Sequence, residues 1–185
     1  PEALAAPADE KDLSVPSASV KPTEKGITSA PGEAQAILAG KKIVVTTDIF
    51  RAEVSTMGGS LQRLDLLQHR DATDQSKPIT LLQQQGGHTY LAQSGLLGKD
   101  LPTHNTEFFA SAEEFNMVQG KDTLDVRLTA LETGAVRVSK IYTFHRASYT
   151  VDVAYEIENK SQSAVAPSVY FQFIRDASAP SGASA

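Results

Sequence analysis

Residues 42–68, KIVVTTDIFRAEVSTMGGSLQRLDLLQ, decide the fold. Apolar residues at positions 50, 52 and 54 alternate with polar residues at 51, 53 and 55, which is the period of a half-buried β-strand. Gly58 and Gly59 follow, and glycine adopts the positive φ values of a tight turn without steric cost. Leu61, Leu64 and Leu66 then resume the apolar pattern shifted by one place, which predicts a β-bulge or a local twist. The stretch therefore predicts strands that reverse at Gly58 and Gly59.

Short alternating runs continue along the rest of the chain to residue 174. They lie at residues 79–83, 89–93, 108–109, 115–118, 124–130, 136–144, 149–158 and 168–174. Loops of hairpin length separate most of them, and residues 43–175 contain no convincing helical period. This spacing predicts an all-β antiparallel sandwich or barrel with one face of each sheet in water.

The alternation also predicts which side chains form the core. Val151, Val153 and Tyr155 are expected to be buried, with Phe171 of the last strand beside them. The interleaved Asp152 and Glu156 are expected to face solvent. A further turn is predicted at Ser94 and Gly95, after the run 89–93.

The two ends of the chain have a different composition from the strand region. Residues 1–40 are rich in Ala, Pro, Ser, Glu and Lys, which predicts a flexible linker, with one or two helical turns as an alternative at 33–38. Residues 177–185 are expected to form a flexible tail. Residues 41–176 are therefore predicted to be the folded domain.

Composition excludes several classes of protein. A formal charge of −5 and a pI near 5.4 argue against a nucleic-acid surface. The absence of cysteine excludes disulfides and thiolate metal sites. No apolar run is long enough to span a bilayer and no signal peptide is evident, so any targeting segment is expected upstream.

The sequence offers no catalytic or metal-binding constellation. The four histidines (His69, His88, His104 and His145) have no metal-ligand spacing, and we interpret them as loop or surface residues. A general acid–base pair of His88 or His104 with Glu107 is conceivable but has no support from spacing. The sequence around Ser94, AQSGLLG (92–98), resembles the surroundings of a catalytic serine, yet no general base is near it in sequence. A turn is therefore the preferred interpretation. We therefore expect no enzymatic activity, no cofactor and no metal, and the ligand-binding residues stay open.

Four segments resemble the first large periplasmic domain of the bacterial membrane protein insertase YidC. They are VVTTDIFRAEVSTMGGSL (44–61), YLAQSGLLG (90–98), SKIYTFHRASYTVDVAYEIEN (139–159) and PSVYFQF (167–173). The third carries the most specific pattern, formed by Lys140, Tyr142, Phe144, Arg146, Tyr149, Val151, Val153, Tyr155, Ile157 and Asn159. The linker-like residues upstream also match the layout of that family.

This resemblance implies a β-supersandwich similar to galactose-mutarotase-like folds, with further strands beyond Arg175, so that the sandwich is incomplete here. It also implies a place at the periplasmic face of the inner membrane, in a multi-pass membrane protein that assists insertion and folding of membrane proteins. Components of the Sec translocon and nascent membrane proteins are the implied partners. The alternative is a carbohydrate-binding or aldose-epimerase-like domain, although the chain lacks the Trp that sugar sites often use.

Overall fold

The computed structural model describes residues 40–85, 88–131 and 135–176. All regular secondary structure in these ranges is β-strand. The strands are β1 (Lys42–Thr46), β2 (Phe50–Ser55), β3 (Leu61–Arg70), β4 (Pro78–Gln85), β5 (His88–Leu97), β6 (Phe108–Ala110), β7 (Glu114–Asn116), β8 (Thr123–Ala130), β9 (Val136–His145), β10 (Val151–Asn159) and β11 (Ser168–Arg175). No helix long and apolar enough to cross a bilayer occurs in these ranges.

The strands form two sheets. The larger has seven strands in the order β11-β5-β4-β3-β2-β1-β7, and the smaller has four in the order β10-β9-β8-β6. All neighbouring strands are antiparallel except β1 and β7, which are parallel. The prediction of an all-β, largely antiparallel sandwich is therefore confirmed.

The main core consists of side chains from both sheets. It includes Ile43, Val45, Phe50, Ala52, Val54, Leu64, Phe108, Val126, Leu128 and Phe144. Each large apolar side chain buried in this way contributes about 1.5–3 kcal/mol relative to exposure. A smaller cluster of Leu96, Leu101 and Val138 packs near one end of β5.

The opening stretch folds largely as its pattern predicts. Phe50, Ala52 and Val54 are buried in β2. Gly58 and Gly59 lie in the turn to β3 with φ of 68° and 55°. The pairing of β2 with β3 shifts register at Glu53 and Val54, so the predicted irregularity is confirmed.

The predicted turn at Ser94 and Gly95 is wrong. Both residues lie inside β5, which continues to Leu97. The glycine serves close packing, because a Cβ at position 95 would come within 2.5 Å of the Tyr170 hydroxyl. Glycine within a strand commonly marks such an approach by a neighbour.

The faces of β10 and β11 that are predicted to be buried differ in their observed burial. Val151, Val153 and Tyr155 are half-buried and pack against the core clusters, while Asp152 and Glu156 are exposed as predicted. Burial is partial because β10 is an edge strand of the smaller sheet. The expectation for Phe171 is wrong, since 60% of it is exposed.

Some predictions concern residues that the structure does not describe. These are the linker and helical turn within residues 1–39 and the tail at 177–185.

Candidate functional site

A buried polar cluster connects the two sheets at the turn between β2 and β3. The Lys140 side chain of β9 points into the sandwich, and its Nζ donates hydrogen bonds to the carbonyl oxygens of Gly58 (3.0 Å) and Gly59 (2.8 Å). The Tyr142 hydroxyl donates to the same Gly59 oxygen at 2.5 Å. The smaller sheet therefore supplies the hydrogen-bond donors for two carbonyls of the turn.

Lys140 is buried, and none of the ion pairs in the described part of the chain includes it. Its side chain is 0% exposed, and Nζ lies 5.2 Å from the ring centroid of Tyr142 and 5.8 Å from that of Tyr155. Burial disfavours the charged form and lowers the pKa of Lys140 to about 7. Burial likewise raises the pKa of Tyr142, and it raises the pKa of Tyr155 to about 12. Near neutral pH the cluster holds an amine that is easily deprotonated and two protonated phenols.

The residues predicted at 94 and 95 contribute to further cross-strand links. The Ser94 hydroxyl lies 2.9 Å from the Tyr155 hydroxyl of the opposite sheet. The Tyr170 ring lies over Gly95, and its hydroxyl accepts the His104 backbone N–H at 3.0 Å and lies 2.6 Å from His104 Nδ1. Ser94 and His104 are buried, so these groups stabilise packing rather than face a substrate.

The histidines are placed with different partners. His69 Nε2 contacts the Tyr149 hydroxyl at 2.8 Å, and His145 Nε2 contacts Asp152 Oδ2 at 2.7 Å. The His104 backbone N–H donates to the Tyr170 hydroxyl, and Nδ1 of the His104 ring lies 2.6 Å from that hydroxyl. No cluster of three or more His, Cys, Asp or Glu side chains in the described ranges is arranged to hold a metal ion.

An open cleft of about 610 Å³ lies over one part of the larger sheet. Its polar lining includes the ion pair of Lys77 with Asp74 at 2.8 Å and Arg63, which pairs at 2.8 Å with the buried Asp65 behind the lining. The lining also contains the exposed ring of Tyr90. Because much of the charge is already paired, the cleft has no strong net preference for an anion or a cation.

The most distinctive exposed surface is an apolar row on β11. Val169, Phe171 and Phe173 are 53%, 60% and 69% exposed, and we call these three residues the β11 stripe. They share one face because they alternate along the strand. Tyr90 of β5 extends this surface, with its ring centroid 6.0 Å from that of Phe173.

The β11 stripe lies on the same side of the larger sheet as the smaller sheet. Phe171 is directly opposite Ser94 in the ladder, and the side chains of such pairs leave the same face. Ser94 in turn contacts Tyr155 of the smaller sheet. Within the described residues the smaller sheet ends at β10 and does not extend over β11, which leaves the stripe exposed.

β11 is also the edge strand of its sheet, with β5 as its neighbour in the described part of the chain. An edge strand presents backbone groups to a further strand, and large exposed apolar rows are typical of contact surfaces. The fold defines a class: a β-sandwich domain whose larger sheet carries an exposed apolar row on an edge strand in the described part of the chain.

Comparison with known proteins identifies the family. Residues 42–185 match the family model of the YidC periplasmic domain. A relative from Nitrosospira multiformis is 40% identical over 180 residues, which cover 95% of this chain and 30% of the relative. A relative from Methylobacillus flagellatus is 41% identical over 88% of this chain and 31% of its own length. A third, from Aromatoleum aromaticum, is 47% identical over 73% of this chain and 24% of its own length.

All three relatives are named membrane protein insertase YidC. This chain belongs to the YidC periplasmic domain family, which is not a family of enzymes. It spans less than a third of the length of these relatives. The carbohydrate-binding or epimerase alternative is not favoured by these findings.

Proposed function

We propose that this chain is the accessory periplasmic domain of a membrane protein insertase, at the periplasmic face of the bacterial inner membrane. It assists insertion and folding of inner-membrane proteins through protein contact. The observation that carries this proposal is the family match over residues 42–185, together with relatives that are named as insertases.

The partners we propose are components of the Sec translocon and nascent membrane proteins. The β11 stripe supports contact with a polypeptide, because an added strand gains main-chain hydrogen bonds at the edge while alternate side chains pack on Phe171 and Phe173. Aromatic side chains are enriched among the residues that dominate binding energy in protein interfaces.

Deletion of residues 43–175 from the full-length membrane protein tests this function. Insertion of simple substrates is expected to remain largely intact, and co-purification of Sec components is expected to weaken. A matched control carries Val118→Ser, which changes an exposed apolar residue far from β11 in sequence and is expected to leave both readouts unchanged. Loss of insertion for all substrates with normal Sec association would contradict the proposal.

A further inference from the structure

The edge of β11 presents its free backbone groups through the same residues that carry the exposed side chains. The Asp176 N–H donates to the Thr89 carbonyl oxygen at 2.9 Å, which sets the phase of the ladder between β11 and β5. In an antiparallel pair, residues that bond the neighbouring strand alternate with residues whose N–H and C=O point away from it. The unbroken register from Ser168 to Arg175 therefore turns the backbone groups of residues 169, 171, 173 and 175 toward the edge.

This edge offers a row of positions in a fixed order. It is about 20 Å long from Val169 to Arg175, at about 3.4 Å per residue, and no strand of the described ranges pairs with it. The side chains of residues 169, 171 and 173 form the β11 stripe, and Arg175 follows on the same face. A strand beside β11 would therefore meet three apolar positions and then one cationic position.

Arg175 is an exposed cation that is available to a partner. It takes part in none of the ion pairs of the described part of the chain. The carboxylates of the adjoining cleft already have partners: Asp71 accepts from Thr73, Asp74 pairs with Lys77, and Asp176 accepts the backbone N–H of Thr89. A carboxylate on an added strand would therefore complement Arg175.

The order of these positions defines the chemistry of the occupant. An added strand places apolar side chains opposite the β11 stripe at every second residue and a carboxylate opposite Arg175. It must also arrive with an unpaired backbone, and folded soluble proteins protect their edge strands against such pairing. A segment of a membrane protein that has not yet inserted and folded meets both conditions, because it is apolar and its backbone groups still need partners.

We propose that β11 receives such a nascent segment as an added strand, with alternate apolar residues on the β11 stripe and an acidic residue at Arg175. This inference rests on the proposed function and specifies the substrate class of the same surface. Main-chain hydrogen bonds supply affinity for many sequences, and the side-chain positions supply the preference among them. Arg175 sets the register of the segment more than it strengthens binding, because an exposed ion pair contributes little.

Fluorescence anisotropy with labelled peptides and the 185-residue chain tests the side-chain preference. The probe is a peptide of alternating valine and threonine with a glutamate at one end, made in both chain directions because an added strand can run either way. In the direction that binds more tightly, replacement of the glutamate by glutamine is expected to weaken binding by about two- to fivefold. Replacement of the valines by serine is expected to abolish binding.

Two protein variants show whether Arg175 is responsible for that preference. Arg175→Gln is expected to remove the difference between the glutamate and glutamine peptides, because the partner of the carboxylate is gone. Lys121→Gln removes the same charge at an exposed lysine and is the matched control, which is expected to keep the difference.

A second pair of variants tests the backbone contact. Phe173→Pro and Phe173→Ala both remove the ring, but only proline removes the N–H that faces the open edge. The ladder with β5 is expected to tolerate both, because that N–H points away from β5, and urea unfolding checks this. The proline variant is expected to bind the glutamate peptide about two- to tenfold more weakly than the alanine variant. If Phe173→Pro does not fold, the comparison at Arg175 decides.

Three results would overturn the inference: no saturable binding of the peptides, equal binding of the glutamate and glutamine peptides, or equal binding by the proline and alanine variants. If these occur while deletion of residues 43–175 still weakens co-purification of Sec components, the proposed function stands and strand addition by a nascent segment is wrong. Peptide binding together with a deletion that changes neither insertion nor Sec association would instead contradict the proposed function.

Discussion

Gly95 and Tyr170 show at the scale of single residues how a missing side chain fixes the position of a neighbouring ring. The two are directly opposite in the ladder of β5 and β11. The ring of Tyr170 lies where a Cβ on residue 95 would be, which lets its hydroxyl reach the backbone and ring of His104. Glycine is required at position 95 because the Tyr170 ring approaches its backbone closely, and not because the residue has a positive φ.

We expect Gly95→Ala to lower the free energy of unfolding by about 1–3 kcal/mol, because the added methyl group displaces the Tyr170 ring. Urea unfolding of the 185-residue chain measures this change. In a Tyr170→Ala background, where the ring is gone, the same substitution should cost much less. An equal cost in both backgrounds would show that the ring and the glycine are not coupled.

The residue scale also shows what a sequence pattern can and cannot reveal. Alternation along β9 places positions 138, 142 and 144 inside, and the same period includes position 140, so the burial of Lys140 was available from the pattern. Because lysine is a charged residue type, its identity argued against burial at position 140. The carbonyl oxygens that accept from its amine come from a turn about 80 residues earlier, and that proximity exists only in the folded chain.

At the scale of elements, β11 shows that the direction in which a side chain points does not decide whether it is buried. The sequence correctly indicates that Val169, Phe171 and Phe173 share a face, and this face is on the inner side of the larger sheet. Burial also requires a second layer over the side chain, and in the described part of the chain the smaller sheet ends before it reaches β11. How far the smaller sheet covers the larger depends on the order of the strands. The alternation of apolar and polar residues within a strand does not encode that order.

The two faces of β11 are expected to respond differently to substitution. Phe171→Ser should change the free energy of unfolding of the 185-residue chain by no more than about 0.5 kcal/mol, because surface positions contribute little. Tyr170→Ser should lower it by about 3 kcal/mol or more, because it empties a packed site and removes the partner of His104. Thermal or urea unfolding compares the two, and similar losses would mean that the stripe is buried in solution.

At the scale of the whole molecule, local patterns predicted the strands and their class, whereas long-range pairing decided the architecture. β11 pairs with β5 across more than 70 residues, and β1 pairs with β7 in parallel. Such pairings depend on tertiary packing, and no residue within either strand specifies its partner. The family could be identified from four segments because their residue order is specific, but those segments do not show that the β11 stripe is uncovered.

The central proposal is that the β11 stripe binds another protein in the intact insertase. Site-specific photocrosslinking tests it most directly, with a photoreactive amino acid at Phe171 of the full-length membrane protein and at Val118 as an exposed control. The account predicts adducts with Sec components or nascent membrane proteins from position 171 and not from position 118. Adducts from position 171 that join only segments of the same chain, or no adducts at all, would contradict it.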